Sequence, residues 1–402
     1  MKQGWEIKKL GEVCDLKSGT TISPSLERDE GDVLYTKVAD MNLPENIIEI
    51  NTSSRFVNSA EIKQNQIIPE GAIIFPKRGG AISTNKKRKI IKPTIVDLNT
   101  MAIIPGKKIN KDYFFHWFQL FDLNDISNGA NIPQINNYSF DEVYIPYPVS
   151  LPEQKRIVAI LDEAFVAIAK AKANAHQNLQ NAKELFESYL QGVFEKKGDG
   201  WEEKTLGEVL EKTETVDPTK KPNEEFIYLD VSSVNKETKE IENATVLLGK
   251  DAPSRARKLV RTNDVIFATV RPTHSRVALI TEEYDEQVCS TGYFVLRAKD
   301  FLNNNFVFYF LLTYGFNKQM EQLQKGASYP AVTDAEVKSI LIPFPKSLEI
   351  QQTIIQKLDA LSAETKKLEA IYQQKINDLE ELKKSILQKA FNGELKTNAV
   401  TE

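Results

Sequence analysis

Several residue patterns that define secreted, metal-binding and membrane proteins are missing from this 402-residue sequence. It contains two cysteines, Cys14 and Cys289, in opposite halves, which excludes a disulfide framework and any C-x-x-C metal site. We expect both thiols to be buried and unreactive. No segment approaches the roughly 20 apolar residues of a membrane span, and the opening MKQGWEIKKLGEV lacks the apolar core of a signal peptide. These absences predict a cytoplasmic protein without a membrane partner.

Signatures of common catalytic and cofactor sites are also missing. The sequence has no G-x-x-x-x-G-K-[ST] phosphate loop, no G-x-G-x-x-G fingerprint and no H-E-x-x-H zinc motif. The Asn-Pro-Pro-Phe tetrapeptide of amino-methyltransferases is absent as well, and the three histidines, His116, His176 and His274, are not spaced as metal ligands. We therefore expect a binding protein that is not itself an enzyme and that holds no metal and no cofactor.

The chain repeats part of itself, and the repeat frames both halves. GWEIKKLGEV (Gly4 to Val13) returns as GWEEKTLGEV (Gly200 to Val209) with eight of ten positions identical. Further along, IPYPVSLPEQKRIVAILD corresponds to IPFPKSLEIQQTIIQKLD, which lies 197 residues later. Such a period exceeds the roughly 20–50 residues of a solenoid repeat. It predicts a duplicated unit made of one globular domain and one connector.

Between these shared ends the two halves differ. The segment AIIFPKRGGAISTNKKRK (72–89) has an approximate partner in DVIFATVRPTHSRVALI (264–280), at an offset of about 192, but few residues agree. Runs rich in β-branched and aromatic residues, such as GAIIFP and DVIFATV, predict strands, and KDYFFHWFQLF predicts a helix in a core. The interiors are thus predicted to be two divergent α/β globules.

Each half ends in a long heptad pattern. Apolar residues recur in steps of three and four from Leu161 to Val193, interrupted only by Lys172, and a similar series runs from Leu358 to Ala390. Patterns of this length predict two helices of about forty residues with coiled-coil seams. Two equivalent units pack best about a pseudo-twofold axis, so we expect the helices to pair antiparallel.

The predicted fold class is therefore α/β (α+β). It has two globular domains joined by two long antiparallel coiled-coil helices, in a pseudo-twofold internal repeat. We expect the first globular domain at residues 1–150 and the first spacer helix at 151–195. The second domain, the second spacer helix and a C-terminal tail are expected at 196–346, 347–393 and 394–402.

Positive charge is concentrated at two places in a chain whose net charge is −4. Residues 71–96 contain seven basic residues and no acidic one, and a second cluster lies between Lys250 and Arg276. One such cluster is ordinarily a solvated charged surface. Two clusters at corresponding positions of a duplicated unit instead favour a long polyanion that is contacted at two points, and duplex DNA fits this description.

Candidate DNA-binding residues come from both clusters. Lysine and arginine neutralise phosphates or bind guanine, asparagine binds adenine, and small hydroxyl side chains are frequent phosphate donors. The candidates of the first half are Lys77, Arg78, Thr84, Asn85, Lys86, Lys87 and Arg88. The candidates of the second half are Arg255, Arg257, Arg271, Thr273, His274 and Arg276. Because the interiors differ, the two domains are expected to read different half-sites.

Together these features resemble the specificity subunit of Type I restriction–modification systems. The resemblance rests on Gly4-Trp5-Glu6 with Leu10-Gly11-Glu12, on their copies at 201–208, and on the paired helix starts LPEQKRI and LEIQQTI. The segments IIFPKRGGAISTNK and VIFATVRP are similar to recognition-domain strands and loops of such subunits. The resemblance covers essentially the whole chain, although LEIQQTI lacks the usual proline.

The resemblance implies a non-catalytic subunit with two target-recognition domains that read the halves of a bipartite, asymmetric DNA target. It also implies that the helices set the gap between the half-sites and dock two methyltransferase subunits, with restriction subunits bound through them. Those partners use S-adenosylmethionine, ATP and Mg for adenine methylation and DNA cleavage. This chain is expected to bind none of these cofactors.

Two other functions are compatible with parts of the sequence. A two-headed adaptor would use the coiled coil to hold two protein-binding domains, with the basic clusters serving solubility alone. A self-contained restriction–modification enzyme is the other alternative, although no methyltransferase or nuclease motif supports it. Steep salt dependence of DNA binding would distinguish a specificity subunit from the adaptor.

Overall fold

The computed structural model of the chain describes residues 3–129 and 131–395. The chain forms two compact units. Unit 1 extends to Ala175 and resumes at Gln374, and unit 2 comprises His176–Gln373. Each unit therefore contains one globular domain and part of each of two long helices. Residues 396–402 of the predicted C-terminal tail lie outside the described residues.

Unit 1 combines small sheets with a short helix and the long helices. Its strands are β1 (Trp5–Lys9), β2 (Cys14–Ser18), β3 (Val33–Thr36), β4 (Glu49–Ile50), β5 (Phe56–Val57), β6 (Ile73–Pro76), β7 (Arg88–Ile90), β8 (Thr94–Val96), β9 (Thr100–Pro105) and β10 (Tyr144–Pro148). Its helices are α1 (Leu10–Val13), α2 (Lys111–Leu120) and the first part of α3 (Leu151–Glu195). The strands are ordered β1-β10, β2-β9-β6-β7-β4 and β5-β3-β8.

Unit 2 has a related plan, with sheets of two, four and three strands and two additional short helices. Its strands are β11 (Trp201–Thr205), β12 (Glu225–Leu229), β13 (Thr245–Leu248), β14 (Ala256–Leu259), β15 (Val265–Ala268), β16 (Val277–Leu279), β17 (Val288–Ser290), β18 (Tyr293–Leu296) and β19 (Leu341–Pro345). Its helices are α4 (Leu206–Val209), α5 (Asn304–Leu311), α6 (Tyr314–Leu323), α7 (Asp334–Lys338) and the first part of α8 (Leu348–Phe391). The strands are ordered β11-β19, β13-β12-β17-β14 and β16-β15-β18.

A fully buried central strand organises each domain. In unit 1 this strand is β6, which lies antiparallel between β7 and β9 with Ile73 opposite Ile103. In unit 2 it is β15, which lies antiparallel between β16 and β18 with Val265 opposite Leu296. Continuous β-branched and aromatic runs suit strands that are covered on both faces. The two segments paired at an offset of about 192 in the sequence therefore form corresponding strands.

The doubled opening phrase forms the same structure in both units. Strand β1 pairs antiparallel with β10, placing Trp5 opposite Pro148, and β11 pairs with β19, placing Trp201 opposite Pro345. The short helix that follows is fixed by one backbone contact in each unit. The Leu10 amide donates to the Val143 carbonyl and the Leu206 amide to the Ile340 carbonyl, both over 2.8 Å. The repeated phrase is therefore architectural.

The long helices run antiparallel within each unit. Near the start of α3, Leu161 shares a buried cluster with Leu387 and Phe391 at the end of α8, all in unit 1. In unit 2 the end of α3 and the start of α8 meet in the same way, where Phe194 and Leu358 are buried together. The predicted class, α/β (α+β) with two globular domains and two long antiparallel helices, is confirmed.

Lys172, which interrupts the apolar series of α3, is explained by its surroundings. Its ammonium group pairs with the carboxylate of Glu380 on α8 in unit 1. Nearby, the Lys383 ammonium lies 4.9 Å from the centre of the Phe165 ring. At this point the two long helices of unit 1 are therefore joined by the Lys172–Glu380 ion pair and by the Lys383–Phe165 cation–π contact instead of by apolar packing alone.

An aromatic helix bridges the sheet and the long helices in each domain. In unit 1, Phe118 of α2 packs edge-on against Phe75 of β6 (5.5 Å), and Tyr113 packs against Phe391 of α8 (5.0 Å). In unit 2, Phe306 of α5 lies 5.0 Å from Phe194 of α3. We call α2 and α5 the docking helices, because they join the sheet that contains β6 or β15 to the long helices.

A buried glutamine near the start of each long helix ties the docking helix to that long helix. In unit 1, Gln154 is fully buried. Its Oε1 accepts from the Asn110 amide (2.7 Å), and its Nε2 donates to the carbonyls of Lys108 (3.0 Å) and Pro148 (2.8 Å). Asn110 in turn caps α2 by accepting from two amides of the first turn. One amide therefore joins α3, β10 and the start of α2.

Unit 2 contains the same contact with different neighbours. Gln351 is fully buried. Its Oε1 accepts from the Asn303 amide (2.8 Å), and its Nε2 donates to the carbonyls of Phe301 (3.0 Å) and Pro345 (2.8 Å). Asn303 caps α5 as Asn110 caps α2. We call Gln154 and Gln351 the anchor glutamines.

A second polar contact links each docking helix to a long helix, but its chemistry differs between units. His116 Nε2 of α2 lies 2.8 Å from Asp162 of α3. At the same position after the capping asparagine, Tyr309 of α5 donates its hydroxyl to Asp359 of α8. Burial lowers the pKa of His116, although Asp162 opposes that effect.

The structure bears on two predictions from the sequence, those on the cysteines and on membrane spans. Cys14 and Cys289 are buried free thiols, as predicted, and burial raises the pKa of each to about 12. Within the described ranges, no helix combines the length and apolarity needed to cross a membrane.

Replacing an anchor glutamine is expected to loosen one domain. Gln154→Ala leaves a buried amide and two carbonyls unpaired, so we expect unfolding of unit 1 to become easier by about 2–4 kcal/mol. Gln351→Ala should do the same to unit 2. Urea unfolding with hydrogen exchange of each unit measures this, and the exposed Gln177→Ala on α3 is the control. Equal stability of Gln154→Ala and Gln177→Ala would contradict the anchoring role.

The burial of His116 is expected to make unit 1 sensitive to mild acid. Because the folded-state pKa of His116 is lowered, the unfolded chain binds the proton more tightly. Stability is therefore lost as the pH falls below about 6.5, the ordinary histidine pKa. His116→Tyr introduces the residue that unit 2 has at the equivalent position, Tyr309. In urea unfolding, this variant should show a smaller difference in the free energy of unfolding between pH 7.5 and pH 5.5 than the wild type. His176→Gln, at an exposed histidine, should leave it unchanged, and the opposite ranking would show that His116 does not cause the effect.

Candidate nucleic-acid interface

Two loops meet at one end of the sheet in unit 1. Loop A1 (residues 77–85) follows β6 and contains a short 3-10 helix, Gly79–Thr84. Loop B1 (described at residues 128, 129 and 131–136) lies beside it. The Gly79 amide donates to the Pro133 carbonyl (2.7 Å), and the Ile135 amide donates to the Lys77 carbonyl (2.8 Å). The two loops therefore form one continuous surface.

Unit 2 has the same pair of loops. Loop A2 (residues 269–276) follows β15 and contains the 3-10 helix Pro272–His274. Loop B2 (residues 325–332) binds it through the Arg271 amide, which donates to the Pro330 carbonyl (2.7 Å), and the Val332 amide, which donates to the Thr269 carbonyl (2.9 Å). The segments that differ in sequence between the two halves therefore share the same pairing of loop A with loop B.

One glycine shapes each B loop. Gly129 has a φ of 106° and Gly326 a φ of 104°, which side-chain-bearing residues rarely adopt. A Cβ at Gly129 would also lie 2.5 Å from the Ile132 carbonyl oxygen. These glycines explain why the pattern G-A-x-x-P occurs in both halves.

Each loop pair and each anchor glutamine lie at opposite ends of a sheet. In unit 1, β6 ends at Pro76 opposite Thr100, the first residue of β9, which then runs back towards α2. In unit 2, β15 ends at Ala268 opposite Tyr293, the first residue of β18, which runs back towards α5. The loops therefore lie at the end of each sheet opposite the anchor glutamine.

Loop A1 and Lys86, which directly follows it, include both free and partly engaged candidates. Arg78 and Thr84 are exposed, while Lys77 and Lys86 are half-buried. The Lys77 ammonium donates to the Ser18 hydroxyl over 3.1 Å. Burial lowers the pKa of Lys77, and the charge of Arg78 lowers it further. Thr84 donates to the Ala81 carbonyl (2.7 Å), and Lys86 bonds to Asn42.

The remaining candidates of unit 1 support the loop from inside. Lys87 is only 2% exposed; its ammonium donates to the Phe121 carbonyl (2.5 Å) and lies 5.0 Å from the Phe118 ring centre. Burial lowers the pKa of Lys87 to about 8. Asn85, with a φ of 49°, accepts from Lys87 (2.9 Å). Arg88 donates to the carbonyls of Lys87 (2.9 Å) and Met41 (3.0 Å).

In unit 2, Arg271 and His274 are exposed and Thr273 is half-buried. Arg271 has a φ of 50° and places its guanidinium 5.2 Å from the centre of the Tyr329 ring. Arg276, in contrast, donates to the Val234 carbonyl and is half-buried. Sequence reasoning missed Tyr329 and loop B2, although the repeated glycine and proline of that loop were a usable signal.

Of the two other arginine candidates of unit 2, Arg255 directly precedes β14 and Arg257 lies within it. Arg255 is exposed, and its carbonyl accepts from Thr291, whose neighbour Gly292 accepts from the Thr269 amide over 2.9 Å. This backbone chain brings Arg255 close to loop A2. Arg257 lies 3.6 Å from Asp217 and donates to the Ala256 carbonyl (2.8 Å), so its charge is partly neutralised.

The site contains cations and small polar groups on loops that are held by hydrogen bonds to the neighbouring backbone. Among the residues that the structure describes, no group of three or more His, Cys, Asp or Glu side chains is arranged to hold a metal ion. Exposed arginines beside hydroxyl groups and backbone amides suit phosphate oxygens and base edges.

Comparisons with known proteins relate the whole chain to one family. Residues 2–177 and 198–381 match the family model described as Type I restriction modification DNA specificity domain. The chain is 23% identical to the Type I restriction enzyme MjaIX specificity subunit of Methanocaldococcus jannaschii, over 98% of this chain and 94% of that protein. It is also 23% identical to the Type I restriction enzyme EcoKI specificity subunit of Escherichia coli, over 98% of this chain and 90% of that protein.

Two solved structures share the fold. A chain from a type I R-M system, studied for complex assembly and conformational transition, superposes with a TM-score of 0.78 at 18% identity, covering 98% of this chain and 99% of that chain. The HsdS subunit from Thermoanaerobacter tengcongensis superposes with a TM-score of 0.61 at 19% identity, covering 98% of both chains. At these identities the likeness is one of fold.

The burial of Lys87 predicts a difference between neighbouring lysines. With an amine-acylating reagent at pH 7.5, we expect Lys86 to be modified readily and Lys87 to be protected, because the Lys87 ammonium is buried against Phe121 and Phe118. Peptide mass spectrometry measures both rates, and the unfolded chain in guanidinium is the control. Similar rates for both lysines in the folded protein would show that Lys87 faces solution.

Proposed function

Because the chain belongs to the Type I restriction modification DNA specificity family, we propose that it reads a bipartite, asymmetric DNA target with one domain per half-site. Loops A1 and B1 would contact one half-site and loops A2 and B2 the other. One observation carries this proposal. At the end of each sheet opposite the anchor glutamine, loops A and B pair through equivalent backbone hydrogen bonds and carry an exposed arginine, Arg78 or Arg271. The sequences of these loops differ between the two units.

The charge distribution supports DNA as the partner. The chain carries a net charge of −4, yet loop A1 contains no acidic residue and neither does loop A2. A net-acidic protein that concentrates cations at two corresponding loops is suited to a polyanion with two separated sites. Within the candidate set, we assign contacts with DNA to Lys77, Arg78, Thr84, Lys86, Arg255, Arg271, Thr273 and His274.

A supporting role is proposed for the other candidates. Lys87 and Arg88 donate to backbone carbonyls, and Asn85 accepts from Lys87. Arg257 pairs with Asp217, and Arg276 donates to the Val234 carbonyl. These side chains would fix the loops so that their exposed neighbours keep one orientation. Preorganised loops lose less entropy on binding than mobile ones.

We propose that the chain itself performs no catalysis. Methylation of adenine requires that the base leave the stack, so this subunit would hold the duplex while two methyltransferase subunits act on it. Restriction subunits would bind through those partners. S-adenosylmethionine, ATP and Mg would be used by the partners and not by this chain.

The long helices are proposed to set the gap and to dock the methyltransferases. Helix α3 has 45 residues and α8 has 44, each ~65 Å long at about 1.5 Å per residue. Leu185 on α3 and Leu382 on α8 occupy equivalent places in the repeat, and they are 52% and 46% exposed. An exposed apolar residue at equivalent positions suits two copies of the same partner.

The proposal predicts steep salt dependence and separable half-sites. In complex with the modification subunits, DNA affinity should fall with salt by a logarithmic slope of about −0.9 per phosphate contacted. Arg78→Ala and Arg271→Ala should each relax one half-site only or reduce the slope by about one. Fluorescence anisotropy across a salt series and sequencing of methylated DNA measure these effects.

Lys107→Ala provides a matched control, because this exposed lysine follows β9 at the opposite end of the sheet from loop A1. It should change neither slope nor motif. Salt-insensitive or absent DNA binding by the complex would refute the proposal and favour the two-headed adaptor. Equal loss at both half-sites in the Arg78 variant would refute the assignment of one domain to each half-site.

A further inference from the structure

We propose that one exposed apolar side chain at the tip of each B loop contacts base pairs directly and helps to determine specificity. The residues are Ile132 in loop B1 and Tyr329 in loop B2. This inference rests on the proposed function, since it names side chains that would read each half-site. Neither residue belongs to a basic cluster, so charge alone does not identify them.

The two side chains occupy the same place in the two loops. Each is the third residue after the glycine with positive φ, Gly129 or Gly326, and each directly precedes the proline whose carbonyl binds loop A. Ile132 is 56% exposed and Tyr329 is 73% exposed. A large apolar side chain exposed at the same position of two divergent domains indicates contact with a partner rather than with the core.

Backbone hydrogen bonds flank the tip of each B loop. Loop B1 is closed by paired backbone bonds between Asn128 and Gln134 (2.9 and 2.7 Å), and loop B2 by paired bonds between Lys325 and Ala331 (both 2.9 Å). Further bonds join each loop to its A loop. A side chain on such a closed loop meets a partner without first ordering the backbone.

Charge complementarity identifies the partner as nucleic acid. No acidic residue occurs in loop B1 or in loop B2. The exposed Arg78 forms a backbone bridge with Gln134 of loop B1, and the Arg271 guanidinium lies against the Tyr329 ring. An apolar tip flanked by a cation can approach bases while the cation neutralises the adjacent phosphate or binds guanine.

The backbone of Arg271 provides a further observation. It adopts a φ of 50° at the position where loop A1 has Gly79, whose φ is 72°. A non-glycine residue in this region is strained and persists only when its surroundings hold it. Here its amide is bound to the Pro330 carbonyl and its guanidinium lies over Tyr329. The strain therefore serves to place an arginine and an aromatic ring together at the exposed tip.

The chemistry of the tips differs between the two units. An isoleucine offers an aliphatic surface that suits the methyl group of thymine in the major groove. A tyrosine ring offers a π-face on which a base can stack. This difference accounts for separate preferences of the two half-sites without any change in the backbone plan.

The test is sequencing of DNA methylated by the complex of this chain with its modification subunits. Ile132→Ala should relax only the half-site read by unit 1, and Tyr329→Ala only that read by unit 2, with methylation of the cognate site slowed roughly 5- to 100-fold. Tyr329→Phe keeps the ring and should retain the motif. Ile132→Tyr should change the preference of the first half-site and leave the second intact.

Exposed apolar residues elsewhere supply the controls. Ile47→Ala in unit 1 (67% exposed) and Val246→Ala in unit 2 (62% exposed) should preserve both motif and rate. An unchanged motif and rate in Ile132→Ala and Tyr329→Ala, equal relaxation of both half-sites, or Tyr329→Phe behaving like Tyr329→Ala would overturn the inference. A wild-type complex that methylates no bipartite sequence would instead overturn the proposed function itself.

Discussion

The attachment of each globular domain to its helices depends on one buried primary amide. The anchor glutamine offers one acceptor and two donor hydrogens, and Gln154 and Gln351 both use them on the backbone of the segment before the docking helix and of the last framing strand. A buried amide whose polar atoms are satisfied in this way fixes orientation, because any rotation leaves several groups unpaired. Apolar packing around it holds the elements together, but it does not select one angle.

The central sheet of each domain connects the anchored docking helix to loops A and B, so the anchor glutamine also determines where these loops lie. One end of the sheet leads to the docking helix, and the other end carries loops A and B. The loops can differ in sequence because their support is internal: Lys87 and Asn85 stabilise loop A1, whereas Arg276 and the Arg271–Tyr329 pair stabilise unit 2. Specificity and attachment are thus properties of separate parts of each domain.

The frame was predictable from the sequence, and the interface only partly. Internal repetition indicated that the segments around Trp5 and Trp201 are equivalent, and the heptad series indicated two long helices, because both signals are visible in the sequence itself. Charge clustering located loops A1 and A2 but did not separate Arg78 from Lys87. Arg78 is exposed and Lys87 is buried because the Lys87 ammonium bonds to the Phe121 carbonyl and lies over the Phe118 ring, and both partners are distant from Lys87 in the sequence. The pairing of A and B loops depends on long-range backbone bonds that no local pattern encodes.

The division of the chain between the units has a consequence for its synthesis. Unit 2 is a continuous stretch, His176–Gln373, whereas unit 1 is completed by the end of α8, where Leu387 and Phe391 enter its core. As the polypeptide leaves the ribosome, unit 2 can therefore assemble all its contacts first. The core of unit 1 is therefore complete only after Leu387 and Phe391 of α8 have been translated. A chain that stops before Leu387 would lack the α8 residues that complete the core of unit 1, while the residues of unit 2 would all be present.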